Sequence, residues 1–235
     1  MGIGISVLTP TRNRPQNITK LTQSLIENAD DPSRIEFIFY VDNDDETWSD
    51  DNVKHNQFTV VRGERIGICK SINEIYKKAK HDLIFLCGDD VMCRTKGWDT
   101  IFIAAYQSYP DQIVQIFGED LSGATPRLAT HPCLSRKWIE TIGYTSPPQF
   151  QGDYADNWMS DIGDIIQRRI YCSQVIMEHC HGAYGKNAMD SVYQEKWERD
   201  KTVEPLRIFN EGKIERIKEA EKLQKVIDLF ADSIS

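Results

Sequence analysis

Short apolar runs alternate along this chain with stretches in which apolar residues recur every three or four positions. The runs are Ile3–Leu8, Ile35–Val41, Phe58–Val61, Leu83–Leu86 and Ile113–Phe117, with a later strand-like run at Ser173–Met177. Most are nearly continuous rather than alternating, the pattern of strands covered on both faces. Between them, Ile18, Leu21, Leu25 and Ile26 form one helical face, and Ile72, Ile75, Tyr76 and Ala79 a second. Pro15 suits the first turn of the first helix. Ile101–Tyr106 reads as a third helix, and Ser135 predicts the cap of a fourth, through Trp138, Ile139 and Ile142, with Gly143 as its stop. Strand, polar loop and helix in succession predict an α/β fold.

The chemistry gathers where the runs end. Leu83–Leu86 leads through Cys87 into Gly88-Asp89-Asp90. In an open α/β sheet, ligands collect at the carboxyl ends of strands. Two adjacent carboxylates repel unless donors or a cation hold them, and a divalent metal carrying a phosphate ester is the usual cation. Gly-Asp-Asp is also good turn chemistry. The second run ends at Asp42, placed to accept from a base N–H or a ribose hydroxyl, whereas Asp45 and Glu46 read as a solvated acidic turn. The first run is followed by Thr9-Pro10-Thr11-Arg12-Asn13-Arg14-Pro15, which brings hydroxyls, an amide and two guanidiniums to a helix N-terminus and so welcomes an anion. The loop has neither Gly-x-Gly-x-x-Gly nor Gly-Lys-Ser/Thr, which excludes dinucleotide and P-loop readings. Arg65, Lys70 and Asn73 surround the start of the second helix. A basic group there opposes the helix dipole, so a bound phosphate explains Lys70 better than helix stability does.

Composition narrows the class. The 235 residues are 40% hydrophobic and 27% charged, ordinary for a soluble domain with a substantial core. The formal net charge of −8 argues against a generic nucleic-acid-coating surface, leaving a local groove around Arg127, Arg136, Lys137, Arg168 and Arg169 as the exception. Six cysteines without CxxC pairing suggest free thiols in a reducing compartment. With no membrane-length apolar run and no charged leader, the expected location is the cytoplasm.

Later in the chain, Thr145-Ser146-Pro147-Pro148-Gln149-Phe150-Gln151-Gly152 breaks every periodicity and reads as a substrate loop or lid. Asp153, Asp156 and Asp161 follow, ahead of an amphipathic stretch with Ile162, Ile165 and Ile166. Any of the three can cap a helix N-terminus. If Ser173–His179 is a strand that continues, His179 and His181 share a face and can meet one ion. Met189, Val192, Tyr193 and Trp197 form one helical stripe. Ile214, Ile217, Ala220, Leu223, Ile227 and Phe230 form a longer one, expected to dock on the same domain or on a second subunit.

Taken in order, Ile5-Ser6-Val7-Leu8-Thr9-Pro10-Thr11-Arg12-Asn13-Arg14-Pro15, Val41-Asp42, Gly67 with Asn73, and Leu86-Cys87-Gly88-Asp89-Asp90 resemble the nucleotide-binding half of an inverting family-two glycosyltransferase with the GT-A fold. Residues 3–100 carry the resemblance well and the next eighty more loosely. It implies a Rossmann-like nucleotide-binding half, a mixed central sheet flanked by helices and a C-terminal helical extension: residues 1–100 as the nucleotide half, 101–185 as the acceptor half and 186–235 as the extension. It implies a nucleotide-diphosphate-sugar donor held by Thr9, Thr11, Arg12, Asn13, Asp42, Arg65, Lys70, Asn73, Gly88 and Asp89. It implies Mn²⁺ or Mg²⁺ on Asp89 and Asp90 with His179 or His181, and mixed oxygen and imidazole ligation leans towards Mn²⁺. An acidic residue at a helix start acts as general base in such enzymes, and Asp156 is the best positional match, with Asp161 and Asp153 in reserve. Two departures stand out: Cys87 replaces the first Asp of the usual Asp-x-Asp-Asp, and Ile72 replaces the Arg that usually precedes Asn73.

The expected activity is inverting transfer of a sugar to an acceptor hydroxyl on a glycan, a protein or, as in some phage-encoded relatives, a hydroxylated DNA base. A nucleotidyltransferase would carry a Gly-rich first loop, which Thr9–Pro15 lacks. A non-catalytic sugar-nucleotide-binding module would keep the strands without the base and the metal. A metal hydrolase built from His179, His181 and nearby carboxylates would leave the first hundred residues unexplained.

Overall fold

Residues 2–49, 57–182, 192–195, 198 and 204–234 are described by a computed structural model of the chain. The strands are β1 (Ile5–Thr11), β2 (Ile35–Asp42), β3 (Phe58–Gly63), β4 (Leu83–Leu86), β5 (Val91–Cys93), β6 (Gln115–Glu119), β7 (Cys133–Ser135) and β8 (Arg169–His179). They form one sheet in the order β3-β2-β1-β4-β7-β6-β8-β5. The half made of β3, β2, β1 and β4 is parallel. Beyond it, β7 runs antiparallel to both β4 and β6, and β8 pairs parallel with β6 and antiparallel with β5. The helices are α1 (Pro15–Glu27), α2 (Ile68–Tyr76), α3 (Trp98–Gln107), α4 (Arg136–Ile142), α5 (Ala155–Ile165), α6 (Pro205–Glu211) and α7 (Lys213–Ser233).

The two-residue period of the strands sorts the core into two layers. Ile5, Val7, Phe37, Phe39 and Phe85 face α1 and α3, where Leu21, Trp98 and Phe102 complete one cluster. Leu8, Ile38, Ile84 and Leu86 face the other way, towards α2, α4, α5 and α7. Trp138, Trp158 and Leu223 complete that cluster. Burial of each large apolar side chain contributes roughly 1.5–3 kcal/mol, so both layers hold the sheet. Ser135 accepts from the backbone N–H of Trp138 at 3.4 Å and Gly143 ends α4 at φ 94°, as the sequence predicts.

Three expectations need correction, and a fourth gains detail. The first strand does not stop at Leu8: pairing with β2 continues from Thr9↔Phe39 to Thr11↔Val41, so Thr9–Thr11 are strand and the loop begins at Arg12. The short strands β5 and β7 have no periodic signature in three residues and escape the sequence pattern. The irregular stretch from Thr145, read as a substrate loop or lid, is tied to α2 near both of its ends. Asn73 accepts from the N–H groups of Thr145 at 2.8 Å and Ser146 at 3.1 Å, and Ile68 N–H donates to Gln151 O at 3.0 Å. The last stripe is rotated: α7 buries Arg216 and Glu219 with Ala220, Leu223 and Ile227, while Ile214 is 68% exposed. Met189 and Trp197 lie outside the described residues.

Candidate active site

A cavity of about 690 Å³ opens at the carboxyl ends of β1, β2 and β4, within the usual range for a small-molecule site. The β1 end contributes Thr11, Arg12 and Arg14. Asp42 comes from β2, Arg65 from the loop after β3, and Gly88, Asp89 and Asp90 from the end of β4. The second half of the chain supplies His131, His179, His181, Tyr193, Asp153 and Asp156.

At one side Asp42, the last residue of β2, lies 3.3 Å from Arg12 Nη1 and 3.9 Å from Arg65 Nε. Burial raises its pKa, Asp44 adds to the rise, and the two guanidiniums oppose it. Arg12 also donates to Asp44 at 2.9 Å, and Arg65 meets Glu195 at 2.5 Å. This end is therefore a balanced array of acids and guanidiniums, suited to hydrogen-bonding a polar, partly anionic ligand.

At the centre the adjacent carboxylates have different surroundings. Asp89 accepts from Thr11 Oγ1 at 2.8 Å and from Arg14 Nη1 at 3.2 Å. Burial and the neighbouring Asp90 raise its pKa to about 6. Asp90 accepts from the Tyr193 hydroxyl at 2.8 Å and lies 3.4 Å from His179 Nε2. Burial pushes Asp90 up, but His179, His131 and Tyr193 outweigh it, and its carboxyl is held well below the usual range. The pairing of β5 with β8 makes this juxtaposition: Val91 lies opposite His179, and Cys180 N–H donates to Asp90 O at 2.8 Å. His181 and His131 meet His179 edge to face, with ring centroids 5.2 Å and 4.6 Å away. Burial and His179 lower the His131 pKa to about 3, so this ring is neutral, and its Nδ1 accepts from Gly88 N–H at 3.4 Å.

These donors fit a divalent cation shared with a ligand. A carboxylate and an imidazole stand side by side, and oxygen ligands of a diphosphate would complete the shell. Among the described residues, no group of three His, Cys, Asp or Glu side chains is arranged to hold an ion unaided.

Also lining the cavity, Asp156 occupies the first turn of α5, half-buried, with Oδ1 accepting from Asn157 N–H at 2.9 Å. The helix begins at Tyr154, whose φ of 68° is left-handed and whose side chain gives no cap.

Several expected residues lie elsewhere. Thr9 is wholly buried beneath the sheet end, and Asn13 uses its N–H on Asp45 at 2.8 Å. Lys70 is exposed on α2, and Asn73 is the anchor of the Thr145 loop; neither lines the cavity. Asp161 faces away from it and pairs with Arg216 Nε at 2.6 Å. The basic groove is largely spent internally. Arg136 donates to His81 O, Arg168 pairs with Asp111 at 3.0 Å, and Arg169 with Asp164 at 2.7 Å. His131 and Tyr193 were not anticipated, and Arg14 was read only as one of the two guanidiniums of the first loop. Tyr193 read as part of a core stripe, and Thr130-His131-Pro132 has no period to mark it.

A family model for glycosyl transferase family 2 matches residues 6–193, most of the chain. The chain belongs to glycosyl transferase family 2. No curated protein matches it by sequence. Among solved structures, S. aureus TarS 1–349 in complex with UDP aligns at TM-score 0.59 and 13% identity, over 74% of this chain and 59% of that one. The same fragment with UDP-GlcNAc aligns at 0.59 and 15%, over 74% and 57%. The mannosyltransferase PcManGT from Pyrobaculum calidifontis, in complex with GDP-Man and Mn²⁺, aligns at 0.60 and 12%, over 97% and 75%. The chain thus spans about three fifths of the TarS fragment, and at these identities the likeness establishes the fold: a mixed α/β GT-A architecture. Among the described residues, no helix of this family-two chain is long and apolar enough to cross a membrane.

Proposed function

We propose that this family-two chain transfers a sugar from a nucleotide-diphosphate donor to an acceptor hydroxyl with inversion. The observation that carries the reading is one cavity with two unlike acidic walls. A carboxylate and imidazole pair, Asp90 with His179, stands beyond β4, and Asp156 on helix α5 lines the same cavity. Solved neighbours of the same fold hold UDP, UDP-GlcNAc, or GDP-Man with Mn²⁺.

Asp42, Arg12 and Arg65 would hydrogen-bond the nucleoside end of the donor, and Arg14 would face the diphosphate beside Asp89. Asp90 and His179 would hold a divalent ion there, with His181 adjacent. When bound, that ion supplies positive charge against the charge developing on the departing diphosphate. Asp156 faces the acceptor side. Its carboxylate would take the hydroxyl proton as the new bond to carbon forms. No covalent sugar intermediate is required.

Internal pairing of Arg136, Arg168 and Arg169 favours a glycan or protein acceptor over DNA. Thermal shift with UDP, GDP, UDP-GlcNAc and GDP-mannose, each with and without Mn²⁺, tests the donor site. One nucleotide should stabilise the chain, by about 2.7 kcal/mol at a hundredfold excess over Kd, and more strongly with Mn²⁺ present. No shift with any nucleotide would overturn the reading.

A further inference from the structure

Helix α5 carries Asp156, and Tyr154 at its start is left-handed and supplies no side-chain cap. Beyond its packing in the core layer, this helix is held from the end of the chain. Residues 154, 158 and 161 fall on one helical face at spacings of four and three, while Asp156 falls on another. All three are gripped by α6 and α7. The Phe209 ring packs on Tyr154 with centroids 5.6 Å apart. Glu219, 5% exposed, accepts from Trp158 Nε1 at 2.9 Å and from the Tyr144 hydroxyl at 2.7 Å. Arg216, 4% exposed, pairs with Asp161 at 2.6 Å, lies over the Trp158 ring at 4.9 Å and the Phe209 ring at 4.0 Å, and donates to Phe209 O at 2.5 Å. Gly212, at the α6–α7 junction, lies so close to the Trp158 ring that any Cβ there would collide with it.

A helix that needed only an apolar cover would be served by leucines. Here two buried charges at α7 positions 216 and 219 meet polar partners on α5 and on the loop before it. Such contacts fix a rotation and a height along the axis, which apolar packing leaves adjustable. Building on the reading of Asp156 as the base, we infer that Phe209, Arg216 and Glu219 are positioning residues that set α5 so that Asp156 points at the acceptor hydroxyl. The C-terminal helices are then part of the catalytic apparatus through α5 alone, without touching donor or acceptor.

The test is a cycle in the full-length chain, with Glu219→Ala, Phe209→Leu and Asp156→Asn made singly and in pairs. Nucleoside diphosphate release from UDP-GlcNAc or GDP-mannose, whichever stabilises the chain, is followed with Mn²⁺ and water as acceptor, below the melting temperature of every variant. Glu219→Ala and Phe209→Leu should each lower kcat about ten- to hundredfold with nucleotide Kd unchanged. Glu219→Gln, which keeps an acceptor oxygen for Trp158, should recover most of the loss. Combined with Asp156→Asn, neither clamp variant should lower kcat further, because the group they aim is gone. Hydrogen exchange of residues 155–161 should speed up in the clamp variants while that of α2 stays constant. Losses that multiply with that of Asp156→Asn, an unchanged kcat, or unchanged exchange in α5 would each overturn the positioning role and leave the base assignment standing. Full turnover in Asp156→Asn would remove the base assignment, and the inference with it.

Discussion

At the end of β4, Asp89 and Asp90 are both buried and both answered, Asp89 by Thr11 and Arg14, Asp90 by Tyr193 and His179. On α5, Asp156 stands half-buried on the wall of the same cavity, and Asp161 of the same helix faces away to meet Arg216. In sequence these are similar acidic clusters. In space the first is boxed by donors from β1, β8 and the segment around Tyr193, which suits it to hold charge in place. The second places one carboxylate on the cavity lining and pairs the other with Arg216. The contrast teaches that surroundings, not residue type, decide what a carboxylate can do, and on the proposed function they would separate one that binds from one that accepts a proton.

The largest expected effect would break the contrast outright. Asp156→Asn keeps the shape but not the basicity, so turnover should fall by about 10²–10⁴-fold while nucleotide affinity stays the same. Assays of turnover beside calorimetry of nucleotide binding check it, and a parallel loss of affinity would place Asp156 with the binding cluster. The converse belongs to Asp90→Asn, where a neutral amide replaces the anionic partner of His179. Mn²⁺-dependent nucleotide affinity should drop by about 10–100-fold, the scale seen when groups supporting a metal are lost. Titration with and without Mn²⁺ decides, and an equal loss in both would make Asp90 a structural acid.

Asn73→Ala sharpens the boundary between the halves. It leaves the N–H groups of Thr145 and Ser146 without their carbonyl acceptor, at a cost of about 1–3 kcal/mol in a denaturant melt. Nucleotide affinity should not change if Asn73 serves the loop and not the donor.

The smallest effect concerns the rear of α5. Burial raises the Glu219 pKa above its ordinary 4.5, and Glu215 adds to this, whereas the hydrogen bonds from Tyr144 and Trp158 work against it. A carboxyl whose folded pKa is raised holds its proton more tightly folded than unfolded, so its contribution to stability falls as pH climbs from 4.5 through the folded value. Melting temperatures of Glu219→Gln and the native chain should therefore shift in favour of the variant as pH rises towards neutrality. A constant difference would mean the carboxylate is fully compensated by its donors.

The apolar runs by themselves determined the parallel half of the sheet, because a strand buried on both faces must be apolar throughout and the connecting helices must show one apolar face. Asp42 and Gly88-Asp89-Asp90 were legible for the same reason, since a strand's end is fixed once the strand is. Tertiary structure alone decided the rest. Three-residue strands carry no period, so β5 and β7, and the register that sets His179 beside Asp90, had no local mark. Lys70 and Asn73 share a helix with a good apolar face, but which turn meets the cavity depends on how α2 lies against the sheet, and Asn73 was taken by the loop behind it. The last helix shows this most plainly. Its aliphatic stripe predicts a buried face through Ile214 and Ile217, but Trp158, Tyr144 and Asp161 offer polar partners that only the folded chain brings together. Pairing Arg216 and Glu219 with them outweighs covering two isoleucines, and α7 turns its charged residues inward.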